Sequence, residues 1–312
     1  MRQLLDDNSL VLMEAAIVER LRRTGETELH PSLVHAPLIY DERGRDTLTR
    51  IYQDYMDIAC RADLPILLCS PTWRANRDRV EEYPDMIDLN DDALQFMKKV
   101  RAGRSDSSAP VKIGGLIGCK NDCYKPDEGL PSAEAESFHA WQIERLSDAG
   151  VDFLMAATLP CVEEAVGIAR AMERTEAPYI ISFVIDREGR VLDGTSLINA
   201  FGTIDEATTR SPIGYMVNCA HPTFLGAAEQ PRELFERLIG YQANASSLDH
   251  SALEVSDRLE ADDVSEWGEG MIGLNRDYGV IILGGCCGTG DEHLDYLVRS
   301  YKSDTKSLDM VK

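Results

Sequence analysis

The feature of this chain that most limits its fold is a rhythm of short apolar runs. Eight of them, rich in branched side chains, recur at residues 10–13, 65–69, 111–116, 152–155, 179–184, 213–218, 238–241 and 280–283, and charged stretches with helical spacing separate most of them. The run at 238–241 is the weakest. Between the fourth and fifth, Val162, Ala165, Val166, Ala169 and Met172 share one helical stripe, while Glu163, Glu164, Arg170 and Glu173 lie away from it. Strands that alternate with helices imply a parallel sheet joined by right-handed crossovers. Eight repeats of that unit favour a closed (β/α)8 TIM barrel over an open doubly wound sheet, and 312 residues are enough for one, since such barrels commonly run to about 250 or more. No internal repeat or long linker divides the chain. One α/β domain over residues 1–312 is therefore expected, with 1–9 and 303–312 as peripheral ends. The polar segment 101–110, which carries Gly103, Ser105, Ser107 and Ser108, reads as a surface loop.

Charge narrows the partners. The chain has 54 acidic side chains against 32 basic ones, a formal charge of −22. A surface of that sign disfavours nucleic acid and anionic membrane, because each phosphate contact needs a cation. It sets no limit on small molecules. No stretch approaches the roughly 20 apolar residues of a membrane span. Asp6 and Asp7 interrupt the place where a secretory signal keeps its apolar core, so a cytoplasmic protein is expected. Eight cysteines are too sparse for a disulfide scaffold, and in a reducing compartment they read as buried, catalytic or metal-bound.

Three of those cysteines stand where chemistry is expected. Cys219 directly follows the sixth run, and Cys286 and Cys287 follow the eighth inside Gly284-Gly285-Cys286-Cys287-Gly288-Thr289-Gly290. In a parallel barrel the ends of all strands share one face, where active sites are built, so cysteines far apart in sequence can converge there. The flanking glycines let the backbone turn tightly and approach a ligand. Three thiolates would leave a tetrahedral Zn²⁺ one open position, the arrangement of a catalytic site, and a substrate thiol bound there would lose its proton at neutral pH. The competing reading is that three small apolar side chains fill a core near the strand ends.

Other residues near strand ends carry weaker signals. His221 reads as a capping or supporting group, since three cysteines already complete the protein's share of a zinc site. The Asn218 amide could hold a substrate's polar head or serve a loop hydrogen bond. Thr72 and Trp73 follow the second run, and the indole could pack against a cationic methyl donor or simply fill space. Cys119 and Cys123 read as ordinary loop cysteines, and Cys60, Cys69 and Cys161 as structural. Gly114-Gly115-Leu116-Ile117-Gly118 lacks both the lysine of a phosphate loop and the spacing of a dinucleotide fingerprint.

Gly284-Gly285-Cys286-Cys287-Gly288-Thr289, taken with Asn218-Cys219, closely resembles the zinc-dependent homocysteine S-methyltransferase family. Residues 138–154, Thr158-Leu159-Pro160, Leu192-Asp193-Gly194-Thr195, Tyr241-Gln242-Ala243-Asn244-Ala245 and Glu292-His293 resemble further family segments. The resemblance implies a (β/α)8 barrel that binds one Zn²⁺ through Cys219, Cys286 and Cys287. It also implies methyl transfer to a zinc-bound thiol, homocysteine or a related small thiol, from S-methylmethionine, S-adenosylmethionine, betaine, methyltetrahydrofolate or a similar donor. The candidate substrate contacts at the strand ends are Glu14, Ala15, Thr72, Thr158, Asn218 and Gly285. Two departures bear on the acceptor. Met13-Glu14-Ala15-Ala16 stands where the family has an Asp-Gly-Gly/Ala turn, and Ala157 stands where it has a glutamate for the acceptor's amino group. Either Glu14 holds that ammonium from the other side, or the acceptor lacks an amino acid head. A separate corrinoid protein as methyl source and a non-catalytic zinc- or thiol-binding relative are the alternative functions. A homo-oligomer is compatible with the sequence.

Overall fold

The computed structural model describes residues 1–104, 109–249 and 260–309, with side chains of the last helix placed through 304. Eight strands, β1 (Val11–Met13), β2 (Ile66–Cys69), β3 (Val111–Ile117), β4 (Phe153–Leu159), β5 (Tyr179–Phe183), β6 (Gly214–Ala220), β7 (Leu238–Ala243) and β8 (Ile282–Gly285), pair in chain order, and β8 closes on β1. Every pairing is parallel. This is the (β/α)8 barrel expected from the eight runs, each of which became a strand. Ten helices accompany them among the described residues: α1 (Arg2–Asp6), α2 (Val18–Thr24), α3 (Glu42–Ala62), α4 (Arg77–Glu81), α5 (Leu89–Ala102), α6 (Ser132–Asp148), α7 (Val162–Glu173), α8 (Leu197–Ala207), α9 (Val264–Tyr278) and α10 (Asp291–Asp309). None is long and apolar enough to cross a membrane.

The period-two alternation of strands divides the core into two shells. Val11, Met13, Leu67, Phe153, Met155, Ile180, Met216 and Ile282 face into the barrel, whereas Leu12, Ile66, Leu68, Leu154, Ile181, Val217 and Leu283 face the helices. Phe153 is the bulkiest inward residue, and Gly114 lies beneath its ring. A methyl group at Gly114 would stand 2.4 Å from the ring carbons, so only glycine fits there.

The ends of the chain differ from expectation. Residues 1–9 are not purely peripheral, because α1 lays Leu5, with Met1 and Leu4, against the inward-facing shell and closes the bottom of the barrel. At the other end α10 continues through Asp309 rather than ending near 303. Residues 105–108 of the polar loop lie outside the described residues.

Candidate metal centre and substrate cavity

Two strands carry an irregularity at the C-terminal rim. The pairing of β4 with β5 shifts between Ala156 and Leu159, and that of β6 with β7 shifts between Asn218 and Ala220. Thr158 and Cys219, the residues inside those shifts, have φ of 62° and 56°. A left-handed conformation is unfavourable for a β-branched threonine, and such bulges occur where a strand re-aims a side chain. Cys219 thus belongs to the last turn of β6 itself, where the sequence placed it just beyond the strand.

The loop after β8 completes the group. The Sγ atoms of Cys219 and Cys286 are 2.7 Å apart, and the three sulfurs of Cys219, Cys286 and Cys287 all lie within 4.8 Å of one another. Zinc–sulfur bonds of about 2.3 Å put the sulfurs of one tetrahedral ion about 3.8 Å apart, so the group has the size of a single metal site. Among the described residues it is the one cluster of three such ligands. The glycines of the motif follow from close approach. Gly285 N–H donates to the Glu14 carbonyl (3.2 Å), and a methyl group on Gly285 would stand 2.1 Å from Thr289 Oγ1. Thr289 in turn donates to the Cys286 carbonyl at 2.6 Å, and Cys286 N–H donates to the Ala243 carbonyl at 2.7 Å, tying the loop to β7. The Cys286 thiol is pushed well above its ordinary range, chiefly because it holds its proton toward Cys219, and further by burial. A cation among the three sulfurs reverses that preference, since coordination removes the thiol proton.

Asn218 holds Cys219 in place. Its amide oxygen accepts from Thr158 N–H (2.9 Å) and Ser182 Oγ (2.7 Å), and its Nδ2 donates to Thr158 Oγ1 (2.9 Å) and Cys219 Sγ (3.3 Å). All of its polar capacity is spent inside the protein, so of the two readings of this residue the internal hydrogen bond is the one observed.

The sulfurs stand at the floor of a cavity of about 830 Å³, which Glu14, Ala15, Ala157, Thr158, Asn218 and Gly285 also line. Glu14 is buried, its Oε2 accepts from Cys69 N–H at 2.8 Å, and burial pushes its carboxyl up to about 8 against the effect of that hydrogen bond. Thr72 does not join them. It is fully buried below the cavity, donating to the Leu116 carbonyl at 2.8 Å and sharing a hydrogen bond with Ser70, while Gln142 and Asn90 tie its loop to the helices outside. Trp73 does reach the cavity, but the Arg74 guanidinium stacks on its ring at 4.4 Å. His221 caps the turn Pro222–Leu225 through Thr223. Cys123 lines the cavity and Cys119 is buried behind it. All eight cysteines are free.

Sequence reasoning missed the roles of Ser182 and Tyr124. Ser182 is the one polar side chain in the fifth apolar run, and Tyr124 is adjacent to Cys123, so each left a faint signal. The Tyr124 phenol lines the cavity, and burial, followed by the charges of Cys219 and Cys287, pushes it well above its ordinary range.

A model of the homocysteine S-methyltransferase family matches residues 11–301. The chain belongs to that family. YbgG of Bacillus subtilis (strain 168), a homocysteine S-methyltransferase, is 22% identical over 309 residues, spanning 94% of this chain and 95% of its own. The metallated form of the Escherichia coli homocysteine methyltransferase MmuM superposes with a TM-score of 0.75 at 18% identity, over 96% of this chain and 99% of that one. Its oxidised form gives 0.76 at 19%, over 96% and 98%. At these identities the structural likeness speaks for the barrel.

Proposed function

We propose that this protein is a zinc-dependent S-methyltransferase that moves a methyl group from an activated donor to a small thiol, with homocysteine as the leading acceptor. The observation that carries the reading is the convergence of Cys219, Cys286 and Cys287 to within 4.8 Å at the floor of an 830 Å³ cavity. Three sulfurs suit Zn²⁺, and an ion held by Cys219, Cys286 and Cys287 would have one position left for a substrate. Zinc bound there would supply the positive charge that keeps an acceptor thiol ionised at neutral pH.

The chain's own residues do the rest. The sulfur of the acceptor displaces the donor's leaving group in line. As the sulfur–methyl bond forms, the bond between methyl and the sulfonium or ammonium atom breaks, and its electron pair stays with the neutral product. The cavity holds both substrates in that line and excludes water. Asn218 and Thr158 fix the direction of Cys219. Among the described residues Glu14 is the one acidic side chain of the cavity wall that is nine-tenths buried. It has the chemistry to ionise and hold an acceptor's ammonium, the task for which Ala157 has no group to offer. The donor is S-methylmethionine, S-adenosylmethionine, betaine or a similar compound, and we place the reaction in the cytoplasm, where eight thiols stay reduced.

A screen of zinc-loaded protein against a panel of thiols and donors tests the reading. Product thioether that requires both zinc and the intact cysteines supports it. Full turnover by metal-free protein would overturn it, and tight zinc binding without transfer from any donor would point to the non-catalytic relative.

A further inference from the structure

One wall of the cavity has a charge that the rest of the molecule does not predict. In a chain of net charge −22, Arg22 of α2, Arg74 of the loop after β2 and Arg79 of α4 all line the cavity, together with Glu14, Glu19, Asp122, Glu128 and Glu260. Most arginines of this protein pair with carboxylates, as Arg20 does with Asp54 and Asp291, Arg23 with Glu19, and Arg77 with Glu81. Among the described residues none of the three cavity arginines has a carboxylate within 4 Å. Asp78, close to Arg79, pairs with Lys120 instead (3.5 Å), and Asp122 and Glu128 at the cavity edge pair with Lys125.

What holds the guanidinium groups of Arg74 and Arg79 is backbone, whereas the Arg22 side chain is exposed. Arg74 Nη1 donates to the carbonyls of Cys119 (3.1 Å) and Asn121 (2.7 Å), and Arg79 Nη1 donates to the Ser32 carbonyl at 3.3 Å. The two side chains also share one acceptor, the Lys120 carbonyl, at 3.5 and 3.3 Å, which sets their charges side by side. Burial, and next the charge of Arg74, pull the Arg79 guanidinium below its ordinary range. Each guanidinium has five N–H donors, and these contacts use only some of them on Arg74 and Arg79, residues that line the cavity. Two more groups there lack partners. His35, 4% exposed, has an unbonded Nδ1, and the Trp73 indole N–H is likewise unpaired. Bringing like charges together at a half-buried wall is unfavourable unless an anion joins them.

We propose that Arg22, Arg74 and Arg79, with His35 beside them, form a carboxylate subsite for the methyl donor, so that the donor is anchored by its anionic end while its methyl group reaches the acceptor. The assignment to the donor rests on the methyltransferase reading: the acceptor is held from the Glu14 and cysteine side, which leaves the arginine wall to the second substrate. The substrate class is thus a sulfonium or quaternary ammonium compound that also bears a carboxylate. A forked guanidinium recognises that group through paired hydrogen bonds.

Calorimetric binding of S-methylmethionine and betaine, each compared with its carboxamide, tests this on the zinc-loaded protein and on Arg79→Gln and Arg22→Gln. Arg79→Gln gives up two backbone hydrogen bonds, whereas the exposed Arg22 side chain makes none, so Arg22→Gln keeps a folded variant in the test. In the wild type at least one acid should bind about tenfold or more tightly than its carboxamide, the usual size of one charged hydrogen-bonded contact. Arg79→Gln should remove that preference and Arg22→Gln should reduce it. Equal binding of acid and amide, a preference that survives both substitutions, or no binding of either acid overturns the subsite. If the preference is present but no thiol is methylated, the subsite stands and the methyltransferase reading falls.

Discussion

Asn218 and Thr158 exchange two hydrogen bonds, both of 2.9 Å, across the mouth of the barrel, although β5 lies between their strands. The exchange holds Thr158 in its left-handed conformation and turns the remaining N–H of Asn218 toward Cys219 Sγ at 3.3 Å. A cysteine of the proposed zinc site is thereby oriented by a residue from its own strand and a residue two strands away.

Asn218→Ala should therefore damage both fold and metal site. It leaves the Thr158 N–H and the Ser182 hydroxyl without an acceptor, each worth about 1–3 kcal/mol. Loss of the brace on Cys219 should weaken zinc about 10- to 100-fold, as removal of supporting groups around a metal does. Denaturant unfolding and competition with a zinc chelator read the two effects, and unchanged zinc affinity would show that the brace does not matter.

Each of Cys219→Ala, Cys286→Ala and Cys287→Ala should lose zinc and activity together, while the apo fold unfolds at nearly the same denaturant concentration as wild type. The strands that carry or precede these residues, β6 and β8, are held by packing that does not involve the sulfurs. Zinc content by metal analysis, measured beside turnover, checks it. A variant with full activity and no zinc is the adverse result.

Glu14 predicts a pH dependence of a stated sign. Its carboxyl titrates at about 8 in the folded protein against about 4.5 when free, so the fold binds that proton more tightly than the unfolded chain does. The neutral acid contributes stability that is fully present below about 4.5 and is lost as the pH rises through about 8. Relative to Glu14→Gln, the wild type should lose on the order of 4 kcal/mol across that window. Urea unfolding of both proteins from pH 4 to 9 measures the difference, and a flat difference refutes the burial argument. The same variant separates the two acceptor readings. If Glu14 holds an ammonium, Glu14→Gln weakens homocysteine binding about tenfold or more and leaves a thiol without an amino group unaffected.

Thr72→Val should act on stability alone. The hydroxyl bonds to the Leu116 carbonyl and to Ser70 below the cavity floor, so its loss costs about 1–3 kcal/mol. KM for both substrates should stay at the wild-type value. A selective rise in KM for either substrate would return Thr72 to the binding site.

Gly285→Ala should fold poorly, because the added methyl group would overlap the Thr289 side chain that ties down the cysteine loop. Gly290→Ala is the control in the same loop, since no atom lies within 4 Å of the methyl group it adds. Thermal unfolding of the pair should differ by several degrees, as a loss of about 1–3 kcal/mol from overpacking requires. Equal midpoints would mean the loop can shift aside.

Much of this protein was legible in one dimension, because its architecture is built from local periodicities. Branched apolar runs of four to six residues can only be buried strands when amphipathic helices alternate with them, and all eight became strands of the barrel. The Gly-Gly-Cys-Cys-Gly-Thr run marked two of the three cysteines that converge, because the glycines and cysteines of one tight turn are neighbours in sequence. Thr72 misled for a related reason: position after a strand gives the barrel face, but whether a side chain points into the cavity or under it depends on the turn that follows. Composition also concealed something, since the net charge of −22 averages away three arginines on one wall of the cavity. The order of strands and the identity of the three sulfurs were thus written in the sequence. The left-handed turns at Thr158 and Cys219, the brace through Asn218 and the acceptor shared by Arg74 and Arg79 were decided only by the closed barrel, because closure brings residues from separate strand ends within hydrogen-bonding distance and no local pattern encodes that distance.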